Sequence, residues 1–215
     1  MKIGIIGTGA MGRTLGARWA SAGHAVLFGS RDPARSRAAA APAGASAQTG
    51  TSDDAAAFGD VVLYTMRGVF PSQLLRDPRS LAGKVVIDCN NTDFDMERAE
   101  PTPAPVPSLS EQLALDAPGA RVVQAFTTLP AAVLALPRDQ LAPRRISVFL
   151  CGDDAAAKRT VAQLAEDLGL VGIDSGPLRR AALVANLADF IRFQIVGMGR
   201  GFLTTLSLDT VPEAR

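Results

Sequence analysis

Short apolar runs recur along the chain and alternate with segments of helical period. Lys2–Ile6, Ala25–Gly29, Asp60–Tyr64, Val85–Cys89, Arg121–Ala125, Ile146–Leu150 and Val171–Asp174 are apolar at successive positions rather than at alternate ones. A strand apolar on both faces is buried on both, the condition of a parallel sheet covered by helices on each side. Between these runs, Ala10–Ala22, Ser52–Phe58, a short stretch around Ser72–Leu75 and Ala155–Leu168 have helical spacing. Asp32-Pro33 opens a further helix, with Asp as N-cap and Pro at the first helical position. Ser108 with Glu111 has the form of a capping box, and Ala45–Ala47 is read as a short third strand. The pattern predicts an α/β fold with a doubly wound, mainly parallel sheet.

Two segments break this rhythm. Glu100–Pro107 carries Pro101, Pro103, Pro105 and Pro107, so it is neither helix nor central strand. It reads as a stiff loop after the C-terminal end of a strand, the end at which ligands bind in open α/β sheets. From Leu178 to Phe202 the spacing predicts one long helix with Leu183, Leu187, Phe190, Ile191, Ile195 and Val196 spread over more than one face. Such a helix needs two surfaces to bury against. Its own sheet domain is one; a second copy of the chain is the other. The expected organisation is a sheet domain over 1–176, a C-terminal helical dimerisation segment over 177–215, and a homodimer.

Composition narrows the possible partners. The chain has 215 residues, 47% of them hydrophobic, enough for one sizeable core. Lys+Arg number 22 against 21 Asp+Glu, and a net charge of +1 gives no electrostatic case for nucleic acid or an anionic membrane. No apolar run approaches the ~20 residues that a bilayer requires. Cys89 and Cys151 are far apart, each inside an apolar run, which argues against a disulfide framework or a cysteine zinc site; no metal is expected. The single histidine, His24, excludes a mechanism needing two imidazoles, and it sits in the AGHAV turn, at the end of the sheet away from ligands. Only Lys2, Lys84 and Lys158 are lysines, leaving little scope for Schiff-base chemistry. MKIGIIG enters a strand at once, without a leader-like pattern, and the reading is a reduced, cytoplasmic protein.

The sharpest motif is GTGAMG, from Gly7 to Gly12, directly after the strand KIGII and at the opening of a helix. That context marks a dinucleotide site. Gly7 permits the tight turn, Gly9 lets a pyrophosphate approach the backbone, and Gly12 lets the helix pack close to the strand. Thr8, Ala10 and Met11 lie between them, where the helix N-terminus offers free N–H groups to phosphates. At the end of the second strand, where NAD sites place a carboxylate for the ribose 2′-OH, this chain has Ser30 and Arg31, with Arg35 one turn further on. A hydroxyl and guanidinium groups bind a 2′-phosphate that a carboxylate would repel. Asp32 is one position late and is better used as an N-cap. The expected cofactor is NADP(H), with Met66 and Ala125 at later strand ends completing its contacts.

From these residues onward the sequence resembles a known family. MKIGIIGTGAMGRTLGARWASAGHAVLFGSRDP, LAGKVVIDCNNT, the AFTTLPA segment and VFLCGDDAAAKRTVAQLAEDLGL are similar to NADPH-dependent deazaflavin (coenzyme F420) reductases and their short NADP-binding relatives. The resemblance implies a Rossmann domain, a small C-terminal helical part, a homodimer, and hydride transfer between NADP(H) and a second bound molecule, the deazaflavin. By position, Thr8, Ser30 and Arg31 match cofactor residues of the family, and Asn91 matches the Asn of its VTNP-like turn. Two turns depart from the pattern. Met66-Arg67-Gly68 replaces a V-P-W-like turn, and Thr127 stands where an AFH-type turn carries His.

Hydride transfer requires proximity and orientation; a carbonyl or imine acceptor requires a proton donor as well. Polar candidates at strand ends are Tyr64, Arg67, Asn91, Thr127 and Thr128, with Asn186 and Asp189 on the last helix. Thr127, Arg67 and Asn91 are the expected catalytic group. Tyr64 lies inside a strand and reads as a satisfied core hydroxyl; Thr127 and Thr128 have an alternative as caps of a helix after Pro130; Asn186 and Asp189 have one as interface polars. No lysine follows Lys158, so the mechanism of the 3-hydroxyacid dehydrogenases, which share the GxGxMG opening, is excluded. Three functions remain in view: deazaflavin reduction or its reverse, reduction of a small carbonyl or imine, and a non-catalytic NADP-binding sensor.

Overall fold

The computed structural model describes residues 1–44, 47–103 and 105–211. Its strands are β1 (Lys2–Ile6), β2 (Ala25–Gly29), β3 (Gln48–Gly50), β4 (Val61–Tyr64), β5 (Val85–Asp88), β8 (Arg121–Gln124), β9 (Ser147–Gly152) and β10 (Val171–Asp174), with β6 (Phe94–Asp95) and β7 (Glu100–Pro101) paired apart as a small antiparallel ribbon. The other eight form one sheet in the order β10-β9-β8-β5-β4-β1-β2-β3. Every pairing from β3 to β8 is parallel. β9 runs antiparallel to β8, through Val123 opposite Gly152, and β10 follows β9 in parallel.

Both faces of the central strands are buried. Ile3, Ile5, Leu63 and Ile87 point to one side, under Leu15 and Trp19 of α1 (Ala10–Ser21). Ile6, Val62, Tyr64 and Val86 point to the other, against Ala55 and Ala56 of α3 (Ser52–Phe58). Each large apolar side chain so enclosed contributes about 1.5–3 kcal/mol. Gly4 interrupts the aliphatic run of β1 because α3 rests on it: a Cβ there would stand 2.0 Å from the Ala55 carbonyl oxygen.

The remaining helices are α2 (Pro33–Ala40), α4 (Pro71–Leu74), α5 (Leu109–Asp116), α6 (Ala131–Leu134), α7 (Arg138–Leu141), α8 (Ala155–Glu166) and α9 (Ala181–Arg192). Their starts are set by local chemistry: Asp32 caps α2, Thr51 and Asp54 form a capping box on α3, Ser108 and Glu111 another on α5, and Asp154 caps α8. From β1 the chain builds β2 and β3 to one side, then returns to place β4 on the other. The crevice above the C-terminal ends of β1 and β4 is therefore the switch point where such sheets bind ligands. His24 lies at the opposite end, its Nε2 2.9 Å from Asp167, tying the α1–β2 turn to the end of α8.

Two expectations change. The single helix over Leu178–Phe202 is broken: a 3-10 turn at Leu178–Arg180 leads into α9, the last turn widens into a π-turn at Phe193–Gly197, and the chain leaves the helix at Met198. The GMGRG run is the reason. Gly199 and Gly201 take φ of +66° and +81°, a left-handed backbone that ends helices. The tail then returns to β9, where the Ser147 N–H donates to the Leu206 carbonyl at 3.1 Å and Ser147 Oγ accepts from the Leu208 N–H at 2.8 Å. The third strand is Gln48–Gly50; Ala45 and Ser46 of the expected Ala45–Ala47 lie outside the described residues.

Candidate active site

The turn after β1 is shaped by its three glycines in three different ways. Gly7 has φ +108°, and a Cβ on it would lie 2.1 Å from Thr65 Oγ1. A Cβ on Gly12 would lie 2.0 Å from the Gly7 carbonyl oxygen, so Gly12 is what lets α1 sit under the turn. Gly9 faces open space, with nothing within 4 Å of its added Cβ. It is also the N-cap of α1 and offers no side-chain cap, which leaves the first amides of the helix directed outward. Free amides at a helix N-terminus, beside a glycine that crowds nothing, fit a pyrophosphate.

From this turn a cleft of about 740 Å³ runs past Thr65, Met66 and Arg67 to Ser30, Arg31 and Arg35. At that far end Asp32 Oδ1 accepts from the Ala34 N–H at 2.8 Å, and its other oxygen lies 3.8 Å from Arg35. Asp32 is thus the helix cap, and the group free to meet a ribose substituent is Arg31. Arg13, which the helical pattern of α1 hid among solvated positions, lines the same cleft. Arg31 and Arg35, beside the Ser30 hydroxyl, fit a 2′-phosphate, and Arg13 adds positive charge to the same cleft.

The other expected cofactor residues separate. Thr8 and Met66 line the cleft, whereas Ala10 is exposed and is not part of its lining. Met11 faces a second cavity. Ala125 is fully buried in the core and lines neither space. The expected catalytic group also divides. Arg67 belongs to the cofactor cleft, where its Nη1 pairs with Asp93 at 3.0 Å. Asn91 and Thr127 meet: Asn91 Nδ2 donates to the Thr127 carbonyl at 2.7 Å.

Those two residues line the second cavity, about 380 Å³, between Met11 of α1, the turn 127–132 and α9. Its walls are largely apolar, with Leu129, Ile191, Ile195 and Phe202 prominent. Phe126 explains how Thr127 and Thr128 reach it. The Phe126 ring is buried edge-on to Trp19, centroids 5.8 Å apart, while its backbone is left-handed at φ +62°. A bulky residue held there stores about 1–3 kcal/mol, tolerated because the core fixes the ring and the turn is thrown toward the cavity. Pro130, not a threonine, is the N-cap of α6, so the capping alternative for Thr127 and Thr128 does not apply.

Among the described residues Arg192 is the one charged side chain lining this second cavity, and it is engaged. Its Nη1 donates to Asp189 Oδ1 at 2.9 Å and to the Thr92 carbonyl at 3.0 Å, and its guanidinium lies 5.8 Å from the Phe94 ring centroid. Burial raises the Asp189 pKa and lowers that of Arg192, in each case against the pull of the partner. Asn91 Oδ1 and Thr127 Oγ1 are buried with no partner among the described residues. Atoms left so cost about 1–3 kcal/mol each unless something else satisfies them.

The turn carrying Asn91 is braced from below. Asp88, wholly buried at the end of β5, accepts from Ser110 Oγ at 2.6 Å, from the Asn90 N–H at 3.0 Å and from Asn90 Nδ2 at 2.7 Å. Burial raises its pKa, and the three donors oppose the rise. Tyr64 is the expected core hydroxyl, donating to the Val69 carbonyl at 2.6 Å. Cys89 and Cys151 are both unpaired and buried; burial pushes the Cys151 thiol up to about 11, out of nucleophilic range at neutral pH. Among the described residues no group of His, Cys, Asp and Glu is placed to hold a metal ion.

Comparison with known proteins agrees with this geometry. A family model described as NADP oxidoreductase, coenzyme F420-dependent, matches residues 2–92. A solved structure from Arthrobacter sp. FB24, assigned as an F420-dependent NADP-reductase, is 30% identical, with TM-score 0.78 over 98% of this chain and 100% of its own. Metalloreductase STEAP3 of Rattus norvegicus is 33% identical over 181 residues, 84% of this chain and 35% of the relative. The chain thus spans about a third of the length of the curated relatives it matches. An imine reductase from Bacillus cereus, 18% identical with TM-score 0.64 over 92% of this chain and 62% of its own, shares the fold alone.

Proposed function

The chain belongs to the family of coenzyme F420-dependent NADP oxidoreductases, and from that premise we propose that its hydride partner is a deazaflavin, coenzyme F420 itself, seated between the Thr127 turn and α9. It is an NADP-dependent oxidoreductase of Rossmann type. NADPH, when bound, supplies the hydride; the protein supplies alignment and a dry enclosure.

The observation that carries the choice of acceptor is the chemistry of the second cavity. Reduction of a carbonyl or imine needs a proton donor at the acceptor heteroatom. Here the lining offers apolar groups, the Asn91 amide, two threonine hydroxyls, and an arginine already held by Asp189 and the Thr92 carbonyl. The Tyr64 phenol is turned away, on Val69. A planar ring with its own electron-accepting system asks only to be stacked and shielded, and about 380 Å³ is within the range of ring-binding pockets. Anaerobic mixing with NADPH tests the reading. Loss of the deazaflavin's visible absorbance is expected; turnover of small imines with no deazaflavin reaction overturns it.

The outer face of α9 supports a homodimer. Leu183 and Phe190 are 61% and 50% exposed, with Leu187 between them and Phe193 a turn further on, in one apolar stripe. Two free thiols suit a reducing compartment, and we place the protein in the cytoplasm. Among the described residues no helix is long and apolar enough to cross a membrane.

A further inference from the structure

We propose that Asn91 and Thr127 form a clamp for the carboxamide of the nicotinamide ring, fixing which face of that ring looks into the cavity beneath α9. The inference rests on the NADP(H) reading above and assigns a role within it. The Thr127 carbonyl can only accept, so the Asn91 amide must present its NH₂ there, at 2.7 Å, and its Oδ1 elsewhere. Among the described residues Oδ1 is buried and unpaired, and so is the hydroxyl of Thr127, the residue that Asn91 grips. Both residues line the same cavity, and Thr127 is only 6% exposed. The pair therefore offers one acceptor, Asn91 Oδ1, beside one donor, the Thr127 O–H. Its complement is an N–H next to a C=O.

Two ligands carry that edge: the primary carboxamide of nicotinamide and the cyclic imide of a flavin or deazaflavin. Placement favours the first. A dinucleotide anchored at Arg31 and crossing the Gly7–Gly9 turn leaves the cofactor cleft past Met66. Met11, two residues beyond Gly9 on the glycine helix, borders the second cavity together with Asn91. The nicotinamide arrives in this corner. The α9 side, with Ile191, Ile195 and Phe202, is left for the acceptor ring and offers it apolar contact. Asp88 acts through Asn90 as a positioning residue, holding the turn from which Asn91 reaches out.

The test uses cofactor analogues that each lack one half of the edge. Binding of NADP⁺, its 3-acetylpyridine analogue, its thionicotinamide analogue and 2′,5′-ADP is measured by calorimetry. The proteins are the wild type, Asn91→Ala, Thr127→Val and Thr127→Ser. The acetyl group cannot donate, so the wild type should prefer NADP⁺ over it about three- to tenfold, the range of a single hydrogen bond, and Asn91→Ala should erase that preference. The thioamide is the weaker acceptor; Thr127→Val should erase the discrimination against it, and Thr127→Ser should restore it. All four proteins should bind 2′,5′-ADP alike, which reports an intact fold and adenosine half. Preferences unchanged by the substitutions overturn the clamp while leaving the cofactor reading in place. Variants that bind NADP⁺ normally but lose affinity for a deazaflavin overturn it in favour of the imide edge. Failure of the wild type to bind 2′,5′-ADP overturns the cofactor reading and the clamp together.

Discussion

The carboxylate of Asp32 accepts from the backbone N–H of Ala34 at 2.8 Å. The acid nearest the ribose end of the cleft is thus committed to starting α2, and Arg31 is left facing the cleft without a side-chain partner among the described residues. Arg31→Ala should weaken NADPH by ~1.5–3 kcal/mol, the value of a charge-assisted contact, and leave NADH nearly unchanged. Arg13→Ala should act in the same sense. Titration of both cofactors decides the matter; equal losses for NADPH and NADH would remove the 2′-phosphate from this end.

Gly9 and Gly12 should fail in different ways. An Ala at 12 puts its Cβ 2.0 Å from the Gly7 carbonyl oxygen, an overpacking that costs about 1–3 kcal/mol and should appear as a lower Tm. An Ala at 9 meets nothing within 4 Å, so Tm should hold while affinity for NADP⁺ falls at least about tenfold, because the methyl stands where the pyrophosphate approaches. Thermal melts and binding isotherms on the two variants separate a packing glycine from a ligand glycine. A Gly9→Ala protein that binds normally would contradict this division.

How these residues read from sequence follows from how far apart their partners lie. The strands β1, β4 and β5 were legible because both faces are buried and apolar residues stand at successive positions; the break at Gly4 in β1 has a visible cause once α3 is known to lie on it. The Asp32 cap and the Ser108–Glu111 box are contacts within three residues and were equally plain. Arg13 was not, since an exposed arginine on a helix reads as solvated until the opposing β2 end is in place. The meeting of Asn91 with Thr127 spans 36 positions and leaves no periodic trace. The apolar spacing runs past the end of α9, because Met198 and Phe202 continue it while Gly199 and Gly201 break the backbone.

Asp88 sets a pH dependence whose sign is unusual for a carboxylate. Its pKa is raised in the folded state, above the unfolded 3.8, chiefly by burial. Its contribution to stability is therefore full below pH ~4 and is lost as pH rises through the folded value. Asp54 and Asp174, lowered by hydrogen bonds from Thr51 and Lys158, act oppositely: their contribution is present above the unfolded value and is lost as pH falls through the folded one. Asp88→Asn keeps an acceptor for Asn90 and a donor for Ser110 Oγ, so it should preserve the turn. Denaturant midpoints against pH should show the wild type losing ground to Asp88→Asn as pH rises above ~4, with the two curves converging in acid. A gap that widens toward low pH would contradict a raised Asp88.

The α9 stripe predicts assembly. Light scattering at micromolar concentration should return twice the chain mass. Phe190→Glu or Leu183→Glu, at positions 50% and 61% exposed and so free of the core, should give a folded monomer. A monomeric wild type would end the dimer.

Arg67 and Arg192 both border the reaction space, and the structure separates their effects. The Arg67–Asp93 pair is exposed on both sides and contributes at most about 1 kcal/mol to the fold, so Arg67→Ala should melt with the wild type. Because Arg67 stands beside the Thr65–Met66 wall of the cofactor cleft, its loss should raise the Kd of NADPH and NADH by a similar factor. That sets it apart from Arg31, whose loss is selective for NADPH. Arg192→Met instead strands Asp189, whose side chain is 9% exposed, and removes the bond to the Thr92 carbonyl. Breaking a buried pair from one side costs on the order of 3–5 kcal/mol, so this variant should be clearly destabilised. Arg192→Met with Asp189→Leu, which removes both charges, should recover much of that loss. In the double variant, cofactor binding should be retained while KM for the acceptor changes, since Arg192 lines the second cavity and not the first. If Arg67→Ala leaves both cofactor affinities untouched and raises only the acceptor KM, Arg67 belongs to the acceptor, and the two spaces do not divide between cofactor and acceptor.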